Sequence, residues 1–152
     1  MGRAVDKVGA YILRENTKDH DQLLIFAHKN HPEAPVQIPG GTIEAKETPR
    51  EAVIREVREE TGLEEFEIKT KLGTATYFKE STKQEIKRHF YLIRVTEMTE
   101  DSWEHRVNGS GEDKGFIFSF RWVGPKNALL IYDEFHKFLT PEYLPTLFPG
   151  IE

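Results

Sequence analysis

The chain has 152 residues, no cysteine and a formal net charge of −5. This length and apolar content suffice for one domain over residues 1–152 with its own core, and the lack of cysteine excludes a disulfide framework or a thiolate metal centre. The acidic balance lacks the basic footprint of double-stranded nucleic-acid binding; the apolar stretch ending at Arg14 is too short for a membrane span or signal peptide, so a cytoplasmic protein without membrane contact is expected.

Residues 7–13 and 22–28 alternate as strands do, and the polar stretch 15–21 between them predicts a hairpin. His28 and Lys29 follow as candidate substrate contacts. A metal site from His28 and His31 is the weaker reading, because no further nitrogen or sulfur ligand stands near in sequence. The apolar segment 36–38 runs into Pro39-Gly40-Gly41, whose glycines offer freedom to turn out of a strand near a metal or phosphate. Thr48-Pro49-Arg50-Glu51 then sets a capping Thr, a Pro at the first helical position and a Glu three residues after the cap, predicting a helix start. Gly62 reads as the C-cap.

On that helix Glu56, Glu59 and Glu60 are three and four residues apart and share one side. Val53, Ile54 and Val57 fall on another face, suited to a sheet. Clustered carboxylates repel: at an effective dielectric near 20, a pair 4 Å apart costs roughly 4 kcal/mol before compensation. Oxygen-only ligands favour a hard cation, Mg²⁺ or Mn²⁺, which keeps positions for water and substrate phosphates. Such ions neutralise phosphate oxygens, lower the pKa of an attacking water and stabilise the leaving oxygen while a carboxylate takes the proton. An isolated Glu-x-x-Glu-Glu is ordinarily a solvated helix face; here the surrounding pattern points to a site.

Residues 66–78 and 86–95 predict a second hairpin, joined by 79–84. Segment 102–105 reads as a loop in which Trp103 and His105 are candidates to stack on a base or reach a phosphate, with core packing as the other role for Trp103. The glycine-rich loop 108–115 supplies Glu112 as the favoured downstream metal ligand, with Glu104 and Asp113 as alternatives. It lacks the Lys and Ser/Thr ending of a P-loop. Residues 115–123 predict a strand with Phe116, Phe118, Phe120 and Trp122 on one core face. Ala128, Ile131, Phe135, Phe138 and Leu139 recur at helical intervals and predict a helix ending before Pro141. A further turn from Thr140 would carry Leu144, Leu147 and Phe148.

From Gly41 the order is five residues, Glu47, seven residues, then Arg55-Glu56-Val57-x-Glu59-Glu60-x-Gly62-Leu63. This resembles the full signature of the Nudix hydrolase family, without a substitution. The resemblance implies an α/β fold, an α/β/α sandwich with a mixed β-sheet, across nearly the whole chain. It implies that the Gly40 carbonyl joins Glu56, Glu59 and Glu60 around the metals, and that Arg55 pairs with Glu47 to orient the helix, with Gly41 and Gly62 structural.

The activity implied is Mg²⁺-dependent hydrolysis of a diphosphate linkage in a nucleoside diphosphate derivative, a nucleoside triphosphate or another small nucleotide. Water attacks phosphorus, with Glu56 the first choice for the base as well as a ligand. Residues 64–78 carry no proline of the kind that marks ADP-ribose enzymes, and Tyr77 stands near, but not at, the dinucleotide-enzyme position. Two alternatives stay open: RNA 5′-end pyrophosphate removal, and a nucleotide sensor without turnover. An isoprenoid diphosphate isomerase would need a cysteine. The expected partner is a small nucleotide, and family precedent allows a homodimer.

Overall fold

The computed structural model describes residues 4–16, 20–109 and 113–149. Its centre is a mixed sheet built from β1 (Val5–Arg14), β2 (Gln22–His28), β3 (Gly40–Thr42), β4 (Phe66–Lys79), β5 (Gln84–Val95), β6 (Ser102–Arg106) and β7 (Ile117–Val123). The order is β4-β5-β1-β2-β7-β6, with β3 paired to β1. Among the described residues only β1 and β5 run parallel; the other pairs are antiparallel. The two expected hairpins are both present, closing at Arg14↔Gln22 and across Lys79↔Gln84.

Strand alternation feeds two cores because each face of the sheet is covered. Val8, Ala10 and Ile12 of β1 pack with Leu24, Phe26, Phe118, Phe120 and Trp122 beneath the helix α1 (Pro49–Thr61), which contributes Ala52, Val53 and Val57. Tyr11, Leu13, Leu23, Ile25 and Phe90 face the opposite side, where the C-terminal segment buries Ala128, Ile131, Phe135, Phe138, Leu139, Leu144, Leu147 and Phe148.

That C-terminal layer departs from the expected single helix. The same apolar residues are buried, but they sit on a short helix α2 (Pro125–Ala128), a 3₁₀ turn (Asp133–Phe135) and further turns. Tyr132 breaks the run: it is extended, and its N–H goes to the Val36 carbonyl at 2.9 Å instead of to its own helix. A tertiary hydrogen bond has overridden local periodicity. Tyr11 adds a second tie, donating its hydroxyl to the Phe135 carbonyl.

β1 and β2 pair directly only near their turn and then part. The wedge between them is the segment before α1: Gln37 bonds both ways to Phe26 at 2.9 and 3.0 Å, and Gly40–Thr42 pairs with Lys7–Gly9. Gly40 and Gly41 therefore continue a strand rather than leave one, and neither has a positive φ. Their need for glycine is spatial. A Cβ on Gly40 would collide with the Val8 carbonyl oxygen, and one on Gly41 would lie 2.5 Å from the Glu56 carboxylate.

α1 begins as expected. Thr48 Oγ1 accepts from Glu51 N–H at 3.1 Å, and the Glu51 carboxylate accepts from Thr48 N–H at 2.9 Å, with Pro49 at the first helical position. Gly62, at φ 80°, closes the helix in the left-handed region and donates its N–H to Arg58. Thr48→Ala is expected to cost about 1 kcal/mol in equilibrium denaturation, the usual value of a lost N-cap; an unchanged denaturation midpoint would show the cap to be energetically idle.

Candidate active site

The wedge and α1 place their polar groups around one cavity of about 570 Å³. Glu60 is 2% exposed, and its carboxylate accepts the Gly40 N–H at 2.9 Å, so the helix is tied to the wedge through an acid. Glu56, 7% exposed, lies against Gly41. Glu59 lies against Gly109, where a Cβ would collide with its carboxylate. Glu56, Glu59, Glu60, Gly40 and Gly41 all line the cavity.

Arg55 organises this acidic face. It forks onto Glu47, Nε to Oε2 at 2.7 Å and Nη2 to Oε1 at 2.9 Å. Nη1 reaches Glu56 at 2.9 Å and Glu59 at 3.2 Å, and Nη2 also donates to the Thr42 carbonyl at 3.0 Å. One guanidinium thus joins the helix to the loop before it. Arg55 holds the Glu47 carboxyl below the usual carboxylate range.

The two most buried acids shift the other way. Burial pushes Glu56 up to about 7, against the pull of Arg55, and the charges of Glu59 and Asp113 add to the rise. Glu60 is raised well above the ordinary value, first by burial and then by the charge of Glu56, with the Gly40 N–H opposing. Asp113 bears on both. His28, also on the cavity wall, is lowered chiefly by burial, and among the described residues its Nδ1 has no hydrogen-bond partner.

The donors are carboxylate and carbonyl oxygens, the kind a hard divalent cation prefers. Burying several carboxylates beside one arginine leaves negative charge that a cation would offset. Among the described residues no three acids converge at metal-holding distance. Arg55 draws Glu56 and Glu59 toward itself, so closing a coordination sphere requires these side chains to turn.

Carboxyls raised on folding carry protons that the unfolded chain has already released. Between about pH 4.5 and 7 the native state therefore binds more protons through Glu56 and Glu60, and their contribution to stability falls as pH rises. His28 works against this, because its lowered pKa makes the unfolded state bind the extra proton near pH 6.5. Comparison with Glu60→Gln separates the two. In EDTA the variant is expected to melt above the wild type, with a gap that widens from pH 5.5 to pH 8. Mg²⁺ should narrow it at pH 8 by stabilising the wild type alone. A gap constant with pH in scanning fluorimetry would rule out a buried titrating Glu60.

Several sequence expectations need correction. Trp103 and His105 lie on strand β6, not in a loop, and their spacing of two is that of a strand face. Trp103 Nε1 donates to the Thr61 carbonyl at 2.9 Å and its ring stacks on Phe120 at 5.4 Å. His105 Nε2 meets the Glu59 carbonyl at 3.1 Å. Both rings satisfy carbonyls of the last turn of α1, which have no partner within the helix; neither lines the cavity. Lys29 is engaged by Glu104 at 2.9 Å, away from the cavity lining. Glu112 lies outside the described residues; of its two alternatives, Asp113 is on the cavity wall and Glu104, paired with Lys29, is not. Phe116 precedes β7 and is 40% exposed, whereas Phe118, Phe120 and Trp122 are core.

Sequence reasoning passed over Arg88 and Glu134, which line the same cavity. Arg88 had a signal: it falls between Ile86 and Phe90 on an inward face of β5, where a charge is out of place.

A NUDIX domain model matches residues 5–143. Human diphosphoinositol polyphosphate phosphohydrolase 2 is 30% identical over 131 residues, which is 86% of this chain and 64% of that protein. The human 3-beta form is 30% identical over 128 residues, 84% of this chain and 69% of that one. The chain thus spans about 65% of the length of the type 2 relatives it matches. Among solved structures, the Caenorhabditis elegans Ap4A hydrolase aligns with TM-score 0.61 at 20% identity, covering 87% of this chain and 90% of that one. The MutT protein from Methanosarcina mazei aligns with TM-score 0.64 at 19% identity, covering 91% of each. At these identities the structural likeness speaks for the fold.

Proposed function

The chain belongs to the NUDIX domain family, and from that premise we propose that it is a Mg²⁺-dependent hydrolase of a diphosphate linkage in a small nucleotide. The observation that carries the reading is the union of buried Glu56 and Glu60 with Glu59 and the Gly40 wedge on one cavity wall. The names of its relatives, phosphohydrolases of diphosphoinositol polyphosphates and of Ap4A, support cleavage of a diphosphate bond.

Glu56, Glu59, Glu60 and the Gly40 carbonyl would hold the cation, with Asp113 as the described downstream acid. When bound, the cation neutralises phosphate oxygens and lowers the pKa of water. The chain supplies the rest. Glu56 is the first choice to take the proton of the attacking water; burial raises its proton affinity in the metal-free protein, and a bound cation would lower it again. Glu47 fixes Arg55, whose Nη1 holds Glu56 and Glu59 while no cation is bound, and Gly41 leaves room for the Glu56 carboxylate to turn. Water attacks one phosphorus, the bridging oxygen leaves, and two phosphorylated products form.

The test is product analysis by chromatography and phosphorus NMR over nucleoside triphosphates, nucleotide sugars, dinucleotides and 5′-triphosphorylated RNA, with and without Mg²⁺. Turnover of at least one member in Mg²⁺ alone is expected. Nucleotide binding without turnover of any would make the protein a sensor instead. Among the described residues no helix is long and apolar enough to cross a membrane.

A further inference from the structure

Beyond Gly40 the cavity wall passes to one face of three neighbouring strands, β1, β5 and β4. Lys7 of β1 stands opposite Arg88 in the parallel ladder, and Ala75 of β4 stands opposite Arg88 on its other side. Tyr77 and Lys79 follow Ala75 at alternate positions, so Lys7, Arg88, Tyr77 and Lys79 share that face. All four line the cavity. Glu134 is the carboxylate of the described lining at this end; the others lie at the end bounded by Glu56, Glu59 and Glu60. The cavity is therefore acidic at one end and basic at the other.

Arg88 is 7% exposed, and its guanidinium is only partly engaged. Nη1 donates to the Val8 carbonyl at 2.8 Å, Nη2 donates to the Tyr77 hydroxyl at 3.1 Å, and the group lies over the Phe135 ring at 4.9 Å. Nε has no hydrogen-bond partner among the described residues. Glu134, at 3.9 Å from Nη2, is beyond hydrogen-bond reach. Nε and Nη2 are the fork with which an arginine grips an oxyanion, and Arg55 closes its own on Glu47. Arg88 has closed neither prong on a charged partner. A buried donor left without an acceptor carries a desolvation cost, which an oxyanion seated on the fork would offset. The place is next to the wedge: a Cβ on Gly40 would lie 3.1 Å from Arg88 Nη1.

Resting on the hydrolytic reading above, we infer that Arg88, with Lys7 and Lys79, forms an anion subsite for a phosphate group outside the scissile diphosphate. The substrate then carries its diphosphate at the Glu56, Glu59 and Glu60 end and a further phosphate on the Arg88 fork. A longer phosphate chain on a nucleoside and a phosphate ester on a ring present the same oxyanion to that fork, and the experiment separates them.

The test measures binding, by calorimetry in Mg²⁺, of methylene-bridged ADP, of ATP with methylene at both bridges, and of inositol hexakisphosphate. At least one of the two richer ligands is expected to bind about tenfold or more tighter than the ADP analogue, the scale of one charge-assisted hydrogen bond. Arg88→Gln should shrink that ratio about tenfold. Lys79→Glu, at an exposed position, should shrink it about threefold, and serves if the Arg88 variant does not fold. Lys69→Glu makes the same change of net charge on β4 outside this cavity and should leave the ratio unmoved. A ratio carried by the ATP analogue names a phosphate chain; one carried by inositol hexakisphosphate names a phosphorylated ring. The inference is overturned by binding of all three ligands within about threefold, by a ratio that no folded cavity variant moves, or by one that Lys69→Glu shrinks as much. Turnover is read separately. Hydrolysis of a nucleotide sugar without any binding preference would sink the subsite and keep the hydrolase, while a preference lost in the cavity variants without turnover of any substrate would do the reverse.

Discussion

Glu59→Gln/Glu60→Gln is expected to lose Mg²⁺-dependent turnover by about 10³-fold or more while the fold persists. Two carboxylates that would hold the cation are removed, and loss of metal-borne charge stabilisation is worth several kcal/mol, each 1.36 kcal/mol being tenfold in rate. Structure should survive because the replacing amide at position 60 keeps an oxygen to accept the Gly40 N–H. Arg55 also retains its two bonds to Glu47. Removing the buried charge of Glu60 should even raise the melting temperature of the metal-free protein near pH 8, since burial is what raises its proton affinity. Product formation by phosphorus NMR and melting by fluorimetry decide it together. Turnover within tenfold of wild type would remove these glutamates from the site; loss of turnover with loss of fold would leave Glu59→Gln alone to carry the test.

The second large effect separates two adjacent glycines. Gly40→Ala places a Cβ against the Val8 carbonyl oxygen, backbone against backbone, inside the ladder between β1 and the wedge. Neither partner has a rotamer to yield, so a destabilisation of about 3 kcal/mol is expected, at the upper end for overpacking. Gly41→Ala meets only the far end of Glu56, at 2.5 Å. That carboxylate can swing away, so the fold should hold while turnover drops by about 10²-fold, as for a displaced general base. Chemical denaturation and turnover, measured on both variants, should show opposite patterns. A Gly41→Ala enzyme with wild-type activity would exclude Glu56 from the chemistry.

Much of this was legible in the chain itself, in proportion to how local each cause is. The capping box, Pro49 and Gly62 bound α1 because the interactions that start and stop a helix lie within a few residues of its ends. The two hairpins followed from alternation and polar turns. Long-range partners were not legible. Gly40 and Gly41 were expected to bend the chain, but what requires glycine there is the approach of Val8 and Glu56 from elsewhere. Trp103 and His105 had the right spacing for a strand and were read as loop residues, because only the end of α1 above them explains their rings.

The sequence by itself determined the family pattern, the acidic helix and most of the apolar residues that are buried, Phe116 excepted, since periodicity and spacing are properties of the chain. Tertiary structure alone decided the rest. It wedged Gly40 between β1 and β2, broke the C-terminal helix at Tyr132 with a bond to Val36, and brought Arg88 and Glu134 to the cavity. Residues 40, 88 and 134 are distant in sequence, and their meeting depends on which strands pair and which layer covers the sheet, choices made by packing and hydrogen-bond satisfaction over the whole fold.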